Sequence, residues 1–391
     1  MKTKAVVLAA GTGTRMRPLT YAKPKHILPI AGKPILEHIL DFLRLANIQD
    51  ICIVVGYLRE VVMEYFGDGD RFDINITYAH QEKRLGLAHA LKYAQPHLEN
   101  DNFVMVLGDV MIRLDLKEMI EQHLAHNAVA TIGLATVDDP TPFGVVKMDE
   151  SLRISKLIEK PKVPPSNYVI TGLYIFDNDI FTAIDKIPKS WRGEYEITDA
   201  IQLLVEQGQP VYGYPALKYW KDTGRPTDLL EANKKFLSDY LGNYIFGEVH
   251  QGCEIDGIIR VEKGSVLHTG VKIHGPVSIG EDTFIGPNCK LGPYVQIGSN
   301  VRLVENVTLA NTIIMNNTLV SNDAVIKDSI IGENCQIGPD VIAEGIDNVF
   351  GVVIADHSIV GPNITFTPGN TLGPHSTIQP QPTTNKNQER E

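Results

Sequence analysis

From about Val261 the sequence acquires a period of six, readable as "VEKGSV LHTGVK IHGPVS IGEDTF IGPNCK LGPYVQ IGSNVR LVENVT". Val, Ile or Leu recurs at the first place of these blocks, Gly often at the second, and a small or branched residue at the fifth. A block this short makes one face of a coil and cannot bury its apolar side alone, so successive coils must stack into a solenoid with one sheet per face. The phase slips between Asn311 and Asn322, resumes at "IGENCQ IGPDVI", slips again through "AEGIDNVFG" and resumes from Ile354 to Ile378. Both slips read as loops protruding from coils. Cys289 and Cys335 occupy the fifth, inward place and read as packed small hydrophobes rather than reactive thiols.

Up to about residue 240 the pattern is different. Short apolar runs, "AVVLAA", "ICIVV", "INITYA" and "FVMVLGD", alternate with helical stretches at Pro34 to Ala46 and Leu87 to Ala94. Continuous apolar strands between helices predict a mostly parallel sheet covered on both faces. Ile35, Ile39, Leu40 and Leu43 fall on one helix face and are candidate core, with Pro34 in the first turn. The expected organisation is a domain over 1–240, a linker over 241–253 and a solenoid over 254–379. The tail over 380–391 lacks apolar residues and is expected to be disordered.

Composition narrows the functions such a chain can have. With 36 basic and 47 acidic side chains, a net charge of −11 argues against broad binding to nucleic acid or an anionic membrane. Any anionic ligand must meet locally placed cations. The opening "MKTKAVVLAAG" imitates a signal peptide, but its apolar stretch is too short and reads as a buried strand. No run approaches the roughly 20 apolar residues of a membrane span, and the four cysteines lack metal-type spacing, so a reducing cytoplasm is expected.

In a sheet of this kind ligands gather at the carboxyl ends of the strands, and two loops leave such ends: "LAAGTGTRMRPLTYAKPK" and "LGDVM". The first is not a P-loop, since no Gly-Lys-Ser/Thr closes it, nor a dinucleotide fingerprint, since Met16 stands where the third glycine belongs. Gly11 and Gly13 instead let backbone N–H groups turn toward an anion, with Arg15 and Lys25 following. That combination suits a polyphosphate, and Asp109 of the second loop is placed to join it.

With the glycine loop, the strand-end Asp and the hexapeptides established, the chain resembles the sugar-1-phosphate nucleotidyltransferases that carry a left-handed β-helix, nearest in pattern to the long-form glucose-1-phosphate thymidylyltransferases. The resemblance runs through "LAAGTGTRMRPLT", "KPK", "GLAHAL", "LGD", "FGVV", "IEKPKVPPSNYVITGLYIF", "WRGEYEITDA" and "WKDTGRPTDLLEAN". It implies an α/β, Rossmann-like, mostly parallel sheet followed by a left-handed parallel β-helix. It also implies attack by a sugar 1-phosphate oxygen on the α-phosphorus of a nucleoside triphosphate, dTTP with glucose 1-phosphate favoured, and release of pyrophosphate.

By the same resemblance Leu8, Ala10, Gly11, Thr12, Gly13, Thr14 and Arg15 bind the nucleotide, with Arg15 and Lys25 on the leaving phosphates. Asp109 and Asp222 hold magnesium, which suits a hard cation that keeps several waters. Lys160 holds the sugar phosphate, Glu159 accepts hydrogen bonds from sugar hydroxyls, and Gly144 brings a backbone N–H to the sugar. Gln81 and the Gly86 backbone read a pyrimidine edge. The chain departs from the family pattern at Val110, where Asn is common, and around Arg84, where proline is common. Thymine and uracil differ by one methyl, which discriminates by about 1–3 kcal/mol, so UTP is a second nucleotide to consider. A bifunctional relative that also acetylates glucosamine 1-phosphate is a further reading, although His268, His274, His357 and His375 read as surface residues of coils. A non-catalytic homologue is another. Flat β-helix faces commonly pack about a three-fold axis, predicting a homotrimer or a multiple of it.

Overall fold

The computed structural model describes residues 3–98, 102–347 and 349–380; residues 381–391 of the expected disordered tail lie outside the described residues. The chain divides into two compact units. The first comprises Met1–Gly13, Lys23–Leu28 and Pro34–Thr223, and the second Thr14–Ala22, Pro29–Lys33 and Gly224–Glu391.

The first unit is an α/β sheet with flanking helices. Its elements are β1 (Lys4–Ala9), α1 (Ile35–Leu45), β2 (Asp50–Val55), α2 (Arg59–Phe66), β3 (Asn75–His80), α3 (Leu87–Ala94), β4 (Phe103–Leu107), β5 (Val110–Arg113), α4 (Leu116–Ala125) and β6 (Ala130–Thr136). They continue as β7 (Gly144–Met148), β8 (Ile154–Glu159), β9 (Tyr168–Phe176), α5 (Asp179–Ile184), α6 (Ile197–Glu206), β10 (Val211–Tyr214) and β11 (Tyr219–Asp222). The parallel core runs β4-β1-β2-β3, as the unbroken apolar strands predict. Beyond β4 the sheet becomes mixed. β9 pairs antiparallel with both β4 and β6, and β7 and β8 form a hairpin. All of β9 except its first residue is buried, so an antiparallel central strand carries the same continuous apolar signal as a parallel one. Pro34 stands just before the first helical residue of α1 rather than inside it, and Ile35, Ile39, Leu40 and Leu43 are buried.

Among the described residues the second unit is a parallel β-helix of three sheets, with eight, eight and six strands. Its first strands, Tyr244–Ile245 and Glu248–Val249, already pair with the next coil, so stacking begins within 241–253. Early coils repeat every 18 residues, as where Val277 pairs with Val295. The two slips have different origins. Thr308 pairs with Val325 and Ile313 with Ile330, each 17 residues on. The first slip is therefore a corner shortened by one residue, not the protruding loop expected. It recurs in register at Asn311 and Asp328, both in the left-handed region, where Asn311 Nδ2 donates to Asp328 Oδ1 at 2.7 Å. The second slip is an insertion, since Ile330 pairs with Val353, 23 residues on. One outward row, Ser278, Gln296, Ile313, Ile330 and Val353, is buried as well. Part of that row lies beneath the turn at Ala31–Gly32, where Arg260 donates to the Ala31 carbonyl at 2.9 Å. The helix α7 (Pro226–Tyr240) holds the same turn through Asn233, whose side-chain oxygen accepts the Ala31 N–H at 2.8 Å.

Candidate active site

The carboxyl ends of β1 and β4 lie side by side, because Leu8 pairs with Leu107 and the Leu8 carbonyl accepts the Gly108 N–H at 2.9 Å. Gly108 has no room for a side chain. A Cβ there would come within 2.9 Å of the Leu8 carbonyl oxygen and 3.0 Å of the His26 ring. This tight packing brings the Asp109 loop against the glycine loop. Lys25 Nζ makes an ion pair with Asp109 Oδ2, and both side chains are largely buried. The same ammonium lies over Gly11, where a Cβ would sit 3.7 Å from Nζ. Gly13 is in the left-handed region (φ 61°), which suits glycine.

Burial works against ionisation of Asp109, but the charge and hydrogen bond of Lys25 outweigh it and hold the carboxyl below its ordinary value. Beside the pair, His26 is buried and pressed down to about 3, first by burial and then by Lys25. Among the described residues its Nδ1 has no hydrogen-bond partner. The neutral ring fills the space under Gly108 without adding a charge.

Asp222 ends β11, which pairs antiparallel with β5 so that Asp222 faces Val110, the neighbour of Asp109. The next residue, Thr223, closes the pair of strand ends. Its N–H donates to the Asp109 carbonyl at 3.2 Å and its Oγ1 at 2.6 Å. Two carboxylates on adjoining strand ends are the oxygen donors a magnesium ion takes when water and phosphate complete its shell. Among the described residues no three His, Cys, Asp or Glu side chains gather as a metal-holding group. The two carboxylates would be the protein's share of a magnesium shell completed by substrate and water.

A second cluster lies at the β7–β8 hairpin. Gly144 pairs with Glu159, and a Cβ on Gly144 would stand 3.2 Å from Glu159 Oε2. Burial, reinforced by the neighbouring Glu196, raises the Glu159 carboxyl above its ordinary value, while Lys160 and Arg192 oppose the shift. Arg192 Nη1 stands 3.6 Å from Glu159 Oε1 and 3.2 Å from Glu196 Oε1, and Lys160 Nζ is 3.9 Å from Glu159 Oε1. Thr198 Oγ1 donates to Glu159 Oε2 at 3.3 Å. Arg192, Glu196 and Thr198 were not singled out as site residues by sequence reasoning, although "WRGEYEITDA" carries all three. That string entered only as one of the motifs of the family resemblance, with no role given to its residues.

Gln81 and Gly86 meet at a third place. The buried Gln81 carboxamide donates to the Gly86 carbonyl at 3.4 Å and lies 3.1 Å from His89 Nδ1. Gly86 is in the left-handed region (φ 103°), and a Cβ would strike the Tyr195 carbonyl oxygen at 2.4 Å. Thr14 and Arg15 belong to the second unit, where the Arg15 guanidinium packs on Gly224. The first unit thus brings together Gly11, Lys25 and Asp109, then Gly144, Glu159 and Lys160, then Gln81 and Gly86.

A nucleotidyl transferase family model matches residues 4–239, more than half the chain. The chain belongs to that family. A GMPPB C-terminal domain model matches residues 273–388. Similar proteins include a glucose-1-phosphate thymidylyltransferase of Streptomyces griseus, 38% identical over 67% of this chain and 74% of that protein. The bifunctional protein GlmU of Methanococcus maripaludis strain C7 is 38% identical over 96% of this chain and 92% of its own. A solved UDP-glucose pyrophosphorylase bound to UDP-glucose is 25% identical, covers 61% of this chain and 99% of its own, and overlays with a TM-score of 0.56. By family this nucleotidyltransferase is a sugar-1-phosphate enzyme whose N-terminal domain is followed in the chain by a left-handed β-helix. No helix among its described residues is long and apolar enough to cross a membrane.

Proposed function

We propose that the chain joins dTTP to glucose 1-phosphate, giving the nucleoside diphosphate sugar and pyrophosphate, with magnesium. The Lys25–Asp109 pair held against Gly11 carries the reading, because it sets one cation and one carboxylate beside the glycine loop. Both reactants are anions, so positioning and charge neutralisation are most of the chemistry. The N–H groups from Gly11 to Thr14, with Arg15 and Lys25, hold the triphosphate and take up charge on the departing pyrophosphate. Lys160 and Arg192 orient the sugar phosphate, Glu159 accepts from sugar hydroxyls, and the Gly144 N–H limits how the sugar sits. Gln81 and the Gly86 backbone bind the pyrimidine edge, with Leu8 and Ala10 flanking the nucleotide. Bound at Asp109 and Asp222, magnesium would neutralise and orient the phosphate oxygens.

A second reading is uridylyl transfer to N-acetylglucosamine 1-phosphate with acetyl transfer by the β-helix. It is favoured by the GlmU relative, whose match spans both halves of this chain. Pyrophosphate release measured over dTTP, UTP, GTP, CTP and ATP against glucose, N-acetylglucosamine and mannose 1-phosphates separates the two. Highest kcat/KM is expected for dTTP with glucose 1-phosphate, and release from no pair would overturn both readings. Coenzyme A thiol release with glucosamine 1-phosphate tests the acetyl step. A cytoplasmic protein with reduced cysteines is proposed, and a homotrimer through the β-helix; light scattering giving a monomer mass at micromolar concentration would refute the trimer.

Glu159→Gln should separate binding from stability. Because the folded carboxyl is raised, its ionisation near neutral pH costs folding stability, and that cost vanishes below the ordinary carboxyl value. The variant is therefore expected to melt higher than the parent at pH 7, with the difference gone once the pH falls below the ordinary carboxyl value, and to raise the sugar phosphate KM about 10-fold. Melting at pH 7 and below that value, with steady-state kinetics at pH 7, checks this.

A further inference from the structure

We propose that Trp191 is the stacking platform for the sugar ring: it covers the C–H face of the pyranose whose hydroxyls and phosphate engage Glu159, Lys160 and Arg192. The proposal rests on reading that cluster as the sugar phosphate subsite. Among the described residues the two most exposed large apolar side chains are Trp191, 85% exposed, and Val163, 84%. Both adjoin this cluster in the chain. Trp191 directly precedes Arg192, and Val163 follows Lys160 by three residues.

Trp191 is not exposed because its loop is loose. Ser190 and Glu194 close the turn, with Ser190 N–H donating to the Glu194 carbonyl at 2.8 Å and Gly193 N–H to the Ser190 carbonyl at 2.9 Å. Ser190 Oγ donates to Glu196 Oε1 at 2.9 Å and accepts the Arg192 N–H at 3.2 Å. Arg192 then anchors the turn to Glu159 and Glu196. A turn tied to this mainly charged cluster through Arg192 thus carries a bare indole.

The charges can satisfy hydroxyls and a phosphate but leave the rest of a sugar uncovered. A gluco-configured pyranose has equatorial hydroxyls, so its two faces are C–H surface. An aromatic side chain supplies large, rigid apolar area at little entropic cost, and such groups commonly line small-molecule sites beside a few placed polar groups. The substrate class assigned is a pyranosyl phosphate with equatorial hydroxyls, glucose or its 2-acetamido counterpart.

The test uses the full chain and glucose 1-phosphate with the preferred nucleotide, comparing wild type, Trp191→Ala and Trp191→Phe. The alanine variant is expected to raise the sugar phosphate KM about 2- to 10-fold and to leave the nucleotide KM and melting temperature unchanged. The phenylalanine variant should recover most of the loss. The protein has two tryptophans, and the other, Trp220, is half-buried with its N–H on the Thr171 carbonyl. Glucose 1-phosphate should therefore shield wild-type fluorescence from acrylamide, and the shielding should disappear in Trp191→Phe. Unchanged sugar KM in Trp191→Ala together with full shielding in Trp191→Phe would overturn the proposal alone. So would an alanine variant that changes oligomer mass by sedimentation but not KM, which would assign the indole to a second copy of the chain. Wild type that neither turns over nor is shielded by any sugar phosphate would overturn the subsite reading and the proposal with it.

Discussion

Asp109→Asn is expected to lower kcat by about 10³-fold while the chain remains folded, a loss of the size seen when one group stabilising transition-state charge is removed. The substitution keeps the shape of the side chain and removes its charge. Two functions go with that charge: the partner of Lys25, and one of two proposed oxygen ligands for magnesium. The main chain of the loop does not depend on it, since Thr223 binds the Asp109 carbonyl and Gly108 is locked on Leu8. Stability should nevertheless fall by several degrees, because removing one member of a buried pair leaves the other charge uncompensated. Lys25→Met with Asp109→Asn separates the two effects. Removing both charges should return most of the lost melting temperature and none of the lost turnover, a non-additivity that a double-mutant cycle reads directly. Turnover of Asp109→Asn within about 10-fold of the parent, against the 10³-fold expected, would place the chemistry elsewhere.

What was legible in the sequence depended on how local each signal is. The coil period is set by neighbours within six residues, and the glycine loop by the strand it leaves, so both could be read in advance. The pairing of Lys25 with Asp109 spans 84 positions and exists only because β1 and β4 are adjacent. The loops leaving the two strand ends marked both residues in the sequence; the ion pair between them did not show there. Arg192 and Glu196 are hidden for a related reason, as their charges look solvated until α6 and the β7–β8 hairpin close around them. The shortened corner at Asn311 was misread as a loop because a lost residue and an inserted one both break the phase. A finer signal was present: Asp282, Asn288, Asn300 and Asn306 occupy the fourth place of their blocks and are all left-handed. Asn and Asp tolerate that conformation better than other side chains, so the fourth place marks the corners as surely as the first marks the core.

The second large effect is expected in the β-helix. Gly286→Ala should destabilise the second unit by more than about 3 kcal/mol, at or beyond the upper end of ordinary overpacking. Its backbone is not left-handed, so the cost is steric and not conformational. A Cβ at Gly286 would stand 1.4 Å from the Val304 carbonyl oxygen and 2.5 Å from its carbon. These atoms are main chain in the next coil, and no rotamer change moves them away. The Gly286 N–H also donates to the Leu303 carbonyl at 2.9 Å, so the coil spacing is fixed at this point. Relief requires separating two coils, which breaks ladder hydrogen bonds and opens the Ile285–Leu303 layer of the core. Because each coil touches chiefly its neighbours, such a defect should divide the stack rather than be shared along it. Gly373→Ala is the control: a Cβ there meets nothing nearer than Ser376 Oγ at 3.8 Å, so its melting should match the parent. Calorimetry of the two variants decides the matter, and equal melting temperatures would mean that coil contact at the glycine place does not govern stacking.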